Sequence, residues 1–191
     1  MSLRHALLAA LSQGEASGYE LAKRFDVAVA DYWTATPQQL YRDLERLEQD
    51  GLVQARVVEQ TRRPNKRVFT MTEKGLEELR AFGRRPSKPP AMRDELLVKL
   101  QAADRTGEPE TLIEAARARA ARSAQKLIRY EQLRDRLLDG RSEDEYLRNS
   151  DEVGPYLTLM AGREYEQLNI SWAQTVIETL ERRRTSRPDA D

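Results

Sequence analysis

Residues 36–53 read TPQQLYRDLERLEQDGLV, and they contain the start, body and end of one amphipathic helix. Thr36 is a typical N-cap residue, and Pro37 suits the first helical position because its fixed φ matches a helix. Gly51 is typical of the left-handed residue that follows a helix. The apolar residues between these ends recur at helical spacing and are Leu40, Leu44 and Leu47. They predict one buried face, which leaves the opposite, polar face available to a partner.

Two more helices are predicted before this stretch. Residues 3–13 are apolar on one face, and Gly14 ends that pattern. Ser17 opens the second helix as its N-cap, with Glu20 three residues later as the partner in a capping box. The chain therefore begins with three short helices.

Two strands around a basic turn are predicted after the third helix. Residues 52–58 are rich in β-branched side chains, and residues 67–71 form a second such run. The dipeptide Pro64-Asn65 between them is a turn signal. A fourth helix is predicted to start at residues 72–76. The order helix, helix, helix, strand, basic turn, strand is that of a winged helix-turn-helix.

The second half of the chain is predicted to be helical. Residues 84–90 read RRPSKPP and cannot continue a helix, because proline lacks the amide hydrogen. The helices predicted after this junction are Met92–Ala103, Pro109–Leu138, Ser142–Leu147 and Val153–Arg184. The stripe predicted on the last of them consists of Tyr165, Leu168, Trp172, Val176 and Leu180. Helices of about 30 residues span about 45 Å and need a partner to cover such a stripe.

These patterns predict a mainly α fold with a small β-hairpin wing. We expect a winged helix-turn-helix DNA-binding domain at residues 1–85 and a helical dimerisation domain at residues 91–185. Residues 186–191 are expected to be a disordered tail.

The composition excludes several classes of protein. The chain has 191 residues and no cysteine, which excludes disulfides and cysteine-ligated zinc. It shows no membrane-spanning run, signal peptide, glycine-rich phosphate loop or nucleophile elbow, so we expect a cytoplasmic protein that is not an enzyme. The single histidine, His5, is interpreted as a structural or surface residue.

Charge is balanced overall but not locally. The chain carries 32 basic and 32 acidic side chains, and this neutrality slightly favours a protein-interaction adaptor over a DNA-binding protein. Residues 60–72, however, contain basic residues and no acid. The basic residues predicted to hold the DNA backbone from the wing are Arg62, Arg63, Lys66 and Arg67.

The third helix supplies the predicted contacts with bases. Gln38, Gln39 and Arg42 lie on the side away from the leucines, where glutamine can bind adenine and arginine can bind guanine or phosphate. Tyr41 either touches a phosphate through its hydroxyl or packs within the domain, whereas Tyr19 is interpreted as structural. Replacing Gln39 by alanine is expected to relax specificity at one base position by about 1–3 kcal/mol.

Three motifs resemble the PadR family of bacterial transcription factors. They are SGYEL at 17–21, PQQLYRDLERLEQDGLV at 37–53 and RVFTMTEKG at 67–75, and a looser similarity to the long-tailed subgroup continues through 93–100 and 162–172. This resemblance implies a homodimer that binds a near-palindromic operator, mostly as a repressor. It also implies that a small aromatic effector releases the protein from the DNA.

The aromatic residues of the last helix are the candidates for that effector. Trp172 and Tyr165 could line a ligand pocket, although aromatics at helical spacing are more often core or interface. A winged-helix adaptor without a DNA role remains the alternative function.

Overall fold

The computed structural model describes residues 3–24, 35–59, 65–87, 89 and 93–186. It divides into two compact units, Met1–Pro89 and Pro90–Asp191. The predicted wing-tip residues Arg62 and Arg63, and the predicted tail beyond Ser186, lie outside the described residues.

Helices and a small sheet form the N-terminal unit, as predicted. Its described elements are α1 (Leu3–Leu11), β1 (Ala16–Ser17), α2 (Gly18–Arg24), α3 (Pro37–Gln49), β2 (Val53–Val58), β3 (Lys66–Met71) and α4 (Glu73–Gly83). The predicted order of elements is confirmed, apart from β1.

The sheet has three strands rather than the two of the predicted hairpin. Its order is β1-β3-β2, and Ala16 and Ser17 of β1 pair antiparallel with Phe69 and Val68 of β3. A two-residue strand is too short to show the alternation of period two by which strands are predicted. The predicted hairpin of β2 and β3 is therefore confirmed, and β1 is an additional strand that the sequence did not predict.

Side-chain caps fix the starts of the helices. The Thr36 hydroxyl accepts a hydrogen bond from the Gln39 N–H at 3.2 Å, and Gln39 Oε1 accepts one from the Thr36 N–H at 2.9 Å. The same reciprocal box joins Ser17 and Glu20 at the start of α2. Satisfying orphan amides in this way stabilises a helix by about 1 kcal/mol per cap.

The leucines of α3 lie in the core of the N-terminal unit. The core residues are Leu7, Leu8, Leu11, Leu21, Leu40, Leu44, Leu47, Leu52, Val53 and Phe69. Glycine lets α4 approach this core closely, because a Cβ added at Gly75 would lie 2.1 Å from the carbonyl oxygen of Leu52. The buried leucines fix α3 on the core and turn its polar face outward.

The described secondary structure of the C-terminal unit consists of helices. Its elements are α5 (Glu95–Gln101), α6 (Ala103–Thr106), α7 (Pro109–Leu138), α8 (Glu143–Asn149) and α9 (Gly154–Ser186). The helix predicted from Met92 to Ala103 was wrong at both ends. Asp94 is its N-cap and accepts a hydrogen bond from the Leu96 N–H at 3.0 Å, so the helix begins at Glu95. None of the helices in the described ranges is both long and apolar enough to cross a membrane.

The buried face of α9 differs from the predicted stripe. The residues that α9 buries are Tyr156, Leu159, Glu166, Asn169 and Ala173. In contrast, Tyr165 is 47% exposed and Leu168 is 63% exposed. The prediction followed apolar side chains alone, whereas α7 and α9 bury a polar pair between them.

Candidate nucleic-acid interface

The outer face of α3 presents the side chains predicted to read DNA. Gln38, Gln39, Tyr41 and Arg42 are all exposed. They lie in the first turns of the helix, directly after its N-cap. The free backbone N–H groups at this end of a helix also favour an anion. The first turns of α3 are thus open to a partner.

Gln39 differs from its neighbours because its side chain has a partner within the helix. Its Oε1 accepts the Thr36 N–H, as described above. Bidentate recognition of adenine uses both the oxygen and the nitrogen of the amide. The capping role was not foreseen, although the spacing of Thr36 and Gln39 could have revealed it.

Tyr41 both packs within the domain and reaches the surface. A Cβ added at Gly18 would lie 2.3 Å from Cε1 of Tyr41, so the ring covers the start of α2. The side chain is nevertheless 46% exposed. This contact explains why glycine stands between Ser17 and Tyr19, since a larger residue would collide with the ring.

Tyr19 is not the structural residue that was predicted. Its side chain is 72% exposed and stands on the first turn of α2. A large aromatic residue that buries so little surface contributes little to the core. Its place in the Ser-Gly-Tyr motif was visible in the sequence, but its exposure was not.

The described cations of the wing carry ion pairs. Lys66 Nζ lies 3.3 Å from Oε1 of Glu20, and Arg67 Nη2 lies 2.5 Å from Oε2 of Glu48. The guanidinium of Arg67 also stands 5.4 Å from the centre of the Phe69 ring. Sequence reasoning missed these carboxylates because the partners are far apart along the chain.

Glu20 is held in its ionised form by its neighbours. Hydrogen bonds from the backbone N–H and the hydroxyl of Ser17, together with Lys66, lower the pKa of Glu20 from 4.5 to about 2. One carboxylate therefore caps α2 and binds the base of the wing.

The single histidine packs inside the N-terminal unit. The His5 ring stacks on the Phe82 ring, with centroids 4.1 Å apart, and its Nε2 lies 3.2 Å from Oε1 of Glu78. It joins α1 to α4, in agreement with its structural interpretation.

A polar network lies between α5, α7 and α9. Arg119 lies 2.5 Å from Asp94 and donates to Oδ1 of Asn169 at 2.7 Å, and Lys126 lies 2.8 Å from Glu166. The side chain of Glu166 is 2% exposed. Burial alone would raise the pKa of Glu166, but hydrogen bonds from Lys126 and its neighbours outweigh burial and lower it.

This network borders a cleft of about 480 Å³ in the C-terminal unit. Tyr165, one of the two predicted ligand residues, lines the cleft together with Arg122. Trp172 lies instead behind Arg119, whose guanidinium stands 4.9 Å from the centre of the indole ring. The structure brings the two aromatics to one region, but only Tyr165 reaches the cleft.

A winged helix with an exposed polar recognition helix and a basic wing defines a class of DNA-binding transcriptional regulators. Comparison with known families agrees: residues 7–81 match the transcriptional regulator PadR-like family. Residues 92–181 match a region described as virulence activator alpha C-term. The chain belongs to the PadR-like family of transcriptional regulators, as its motifs predicted.

Two relatives match nearly the whole chain. The probable transcriptional regulator Rv1176c of Mycobacterium tuberculosis is 32% identical, over 96% of this chain and 100% of the relative. The negative transcriptional regulator PadR of Bacillus subtilis is 25% identical, over 94% and 98%. Both are named as regulators, which confirms the prediction that the chain is not an enzyme.

Solved structures of Bacillus subtilis PadR share the fold. Its complex with operator DNA is 24% identical, covers 93% of this chain and 98% of that one, and superposes with a TM-score of 0.73. Its complex with p-coumaric acid is 23% identical, covers 94% and 95%, and has a TM-score of 0.69. The predicted fold class, a winged helix-turn-helix followed by a helical C-terminal region, is therefore confirmed.

Proposed function

We propose that the chain represses transcription as a homodimer that binds a near-palindromic operator through the N-terminal unit. The observation that carries this proposal is the face of α3: buried leucines hold the helix, and exposed Gln38 and Arg42 point away from the core. Such a helix presents its N-terminal half to base edges in the major groove. With DNA as its target, the protein is proposed to act in the cytoplasm of a bacterial cell.

Gln38 is the primary base reader in this proposal. Its side chain is exposed and belongs to no capping box, whereas Gln39 already bonds Thr36. Gln39 retains its amide N–H groups for a DNA contact, but replacing it also removes part of the helix cap. Gln38→Ala is therefore the cleaner substitution for testing readout.

The wing is proposed to hold the phosphate backbone. Lys66 and Arg67 stand on β3 at the base of the wing, and Arg62 and Arg63 belong to its tip by sequence. Backbone contacts of this kind carry no sequence information and depend strongly on salt.

The C-terminal unit is proposed to dimerise the protein. Leu157, Tyr165 and Leu168 share one face of α9, and they are 52%, 47% and 63% exposed. Ile128 of α7 is 62% exposed. Exposed apolar side chains at this spacing favour packing against a second copy of the chain. A two-fold axis brings the same apolar surface of the two copies together, so each copy covers the other. Leu168→Glu should shift the protein towards monomer in analytical ultracentrifugation, and an unchanged dimer would contradict this surface.

The cleft beside Tyr165 is proposed to take a small aromatic acid that releases the DNA. Arg122 lines this cleft, and in the described part of the chain it makes no ion pair, so it is open to a carboxylate. Isothermal titration calorimetry with p-coumarate should show saturable heat of binding for the wild type, and this heat should be absent for Arg122→Gln. Equal binding by the wild type and the variant would place the effector elsewhere.

The experiment that tests DNA binding is a titration onto the fragment upstream of the protein's own coding region. It is run at two salt concentrations against random competitor, and on sequences selected from a random library. We expect Arg67→Ala to weaken binding to all sequences and to flatten the salt slope. Gln38→Ala should reduce the discrimination between bases at one position of the operator by about 1–3 kcal/mol. Failure to enrich any sequence would contradict the proposal and favour the adaptor function.

A further inference from the structure

The base of the wing is electrically balanced in the free protein. Lys66 and Arg67 are neighbours on β3, yet each meets a carboxylate from a different helix: Glu20 of α2 and Glu48 of α3. Successive side chains of a strand point to opposite faces, which explains the two different partners. The two cations and the two carboxylates cancel, although the sequence around the wing is basic.

A carboxylate and a DNA phosphate compete for the same donors of an arginine. Guanidinium binds either group through its N–H fork. Glu48 occupies Nη2 of Arg67 at 2.5 Å, and the Phe69 ring supports the guanidinium from another side. The Arg67 side chain is still 47% exposed, so a phosphate can reach it once Glu48 is displaced.

The recognition helix shows the opposite arrangement. Arg42 is exposed, and among the described residues it has no ion pair. The cation that faces bases is therefore available at once, whereas the cation that faces the backbone is already engaged.

We propose that Glu48 is an internal competitor for DNA phosphate, which holds Arg67 in the free protein and releases it only when DNA docks. This inference rests on the proposed function, since it requires Arg67 at the DNA backbone. The competition lowers the affinity for every sequence, and so keeps sequence-independent binding weak. Glu20 acts on Lys66 in the same way, but it also caps α2, so Glu48 is the better position for a test.

The test replaces Glu48 by glutamine in the full chain and measures binding to a random-sequence duplex over a range of salt. An exposed ion pair is weak, so its removal should strengthen binding by about 1.5- to 5-fold per wing. The slope of log Kd against log salt should steepen by up to about 0.9 per wing, because one more phosphate is neutralised.

Glu45→Gln is the matched control. Glu45 lies on the same helix and is exposed, and it forms no ion pair within the described part of the chain, so this variant changes the net charge equally. Both glutamate substitutions are repeated in an Arg67→Gln background. The effect of Glu48→Gln should fall there to the size of any Glu45→Gln effect, which reports the change in net charge alone.

The outcomes separate this inference from the function on which it rests. If Arg67→Gln weakens binding and Glu48→Gln leaves it unchanged or weaker, Glu48 does not compete with phosphate and the inference is wrong. A Glu48→Gln effect that still exceeds the Glu45→Gln effect in the Arg67→Gln background also overturns it. If Arg67→Gln itself leaves affinity and slope unchanged, the wing is not at the backbone, and the wing part of the proposed function fails first.

Discussion

Replacing Lys126 by methionine should destabilise the C-terminal unit through the charge that it leaves behind. Lys126 lies 2.8 Å from Glu166, whose side chain is 2% exposed between α7 and α9. Methionine keeps the length of the side chain and removes the cation. The Ser123 side chain still forms a hydrogen bond with the carboxylate, and Asn169 Nδ2 lies 3.4 Å from it, but these neutral groups do not replace the charge of an ammonium group.

Protonation of Glu166 limits how much unfolding free energy the substitution can remove. Stranding a buried carboxylate costs about 3–5 kcal/mol in other proteins. Here the carboxylate can instead take up a proton, and its ordinary pKa is 4.5. Protonating it at about pH 7 costs about 1.36 × 2.5, or about 3.4 kcal/mol. We therefore expect a loss of about 3 kcal/mol at neutral pH, and of only about 0.7 kcal/mol near pH 5, where protonation costs little.

The pH dependence has opposite signs in the two proteins. In the wild type the pKa of Glu166 is lowered by folding, so its contribution to stability is present above 4.5 and is lost as the pH falls through the lowered pKa. In Lys126→Met we expect the folded pKa of Glu166 to rise above 4.5, because burial then outweighs the remaining hydrogen bonds. The penalty is therefore present above 4.5 and is relieved as the pH falls towards that value.

Urea unfolding measures this difference at both pH values. The protein concentration is held fixed, because the proposed dimerisation would add to the apparent stability. The control Lys99→Met removes the partner of Glu95, which is 81% exposed, and should leave the stability nearly unchanged at either pH. The double variant Lys126→Met/Glu166→Gln should recover most of the loss. An equal loss near pH 7 and pH 5 would refute the electrostatic argument and assign the effect to packing.

Three further substitutions test the N-terminal unit. Gly75→Ala should lower the unfolding free energy by about 1–3 kcal/mol, because its methyl group meets a backbone carbonyl that cannot turn away. Gly18→Ala should change stability by less than about 1 kcal/mol, since the half-exposed Tyr41 ring can move, but it should weaken DNA binding in a titration. Ser17→Ala should raise the pKa of Glu20 above about 2 while leaving it below 4.5, because the Ser17 backbone N–H still donates; an NMR titration measures this.

Local signals account for the parts of the fold that could be predicted. Caps at Ser17 and Thr36 depend on residues three positions apart, and they occur as predicted. The leucine spacing of α3 likewise predicted its buried face. These features follow from the geometry of a single helix, so no knowledge of the rest of the chain is needed.

Contacts between distant residues account for what could not be predicted. β1 has two residues and exists only because β3 offers free backbone groups to it. Glu48 looks like any other acid on an exposed helix until β3 brings Arg67 to it. The basic wing was therefore visible in the sequence, whereas the pairing of Lys66 and Arg67 with carboxylates was not.

The buried face of α9 is more polar than the apolar spacing suggests. The helix buries Glu166 and Asn169 against α7, where Lys126 and Arg119 satisfy them, and it exposes Leu168. A satisfied polar pair fixes the register of two long helices more strictly than interchangeable leucines do, because any slip leaves a buried charge unpaired. The register of α7 and α9 also fixes where the exposed apolar residues of α9 lie. In the proposed dimer a second chain would pack on these residues, so the stability of the buried pair and the geometry of the dimer depend on the same contacts.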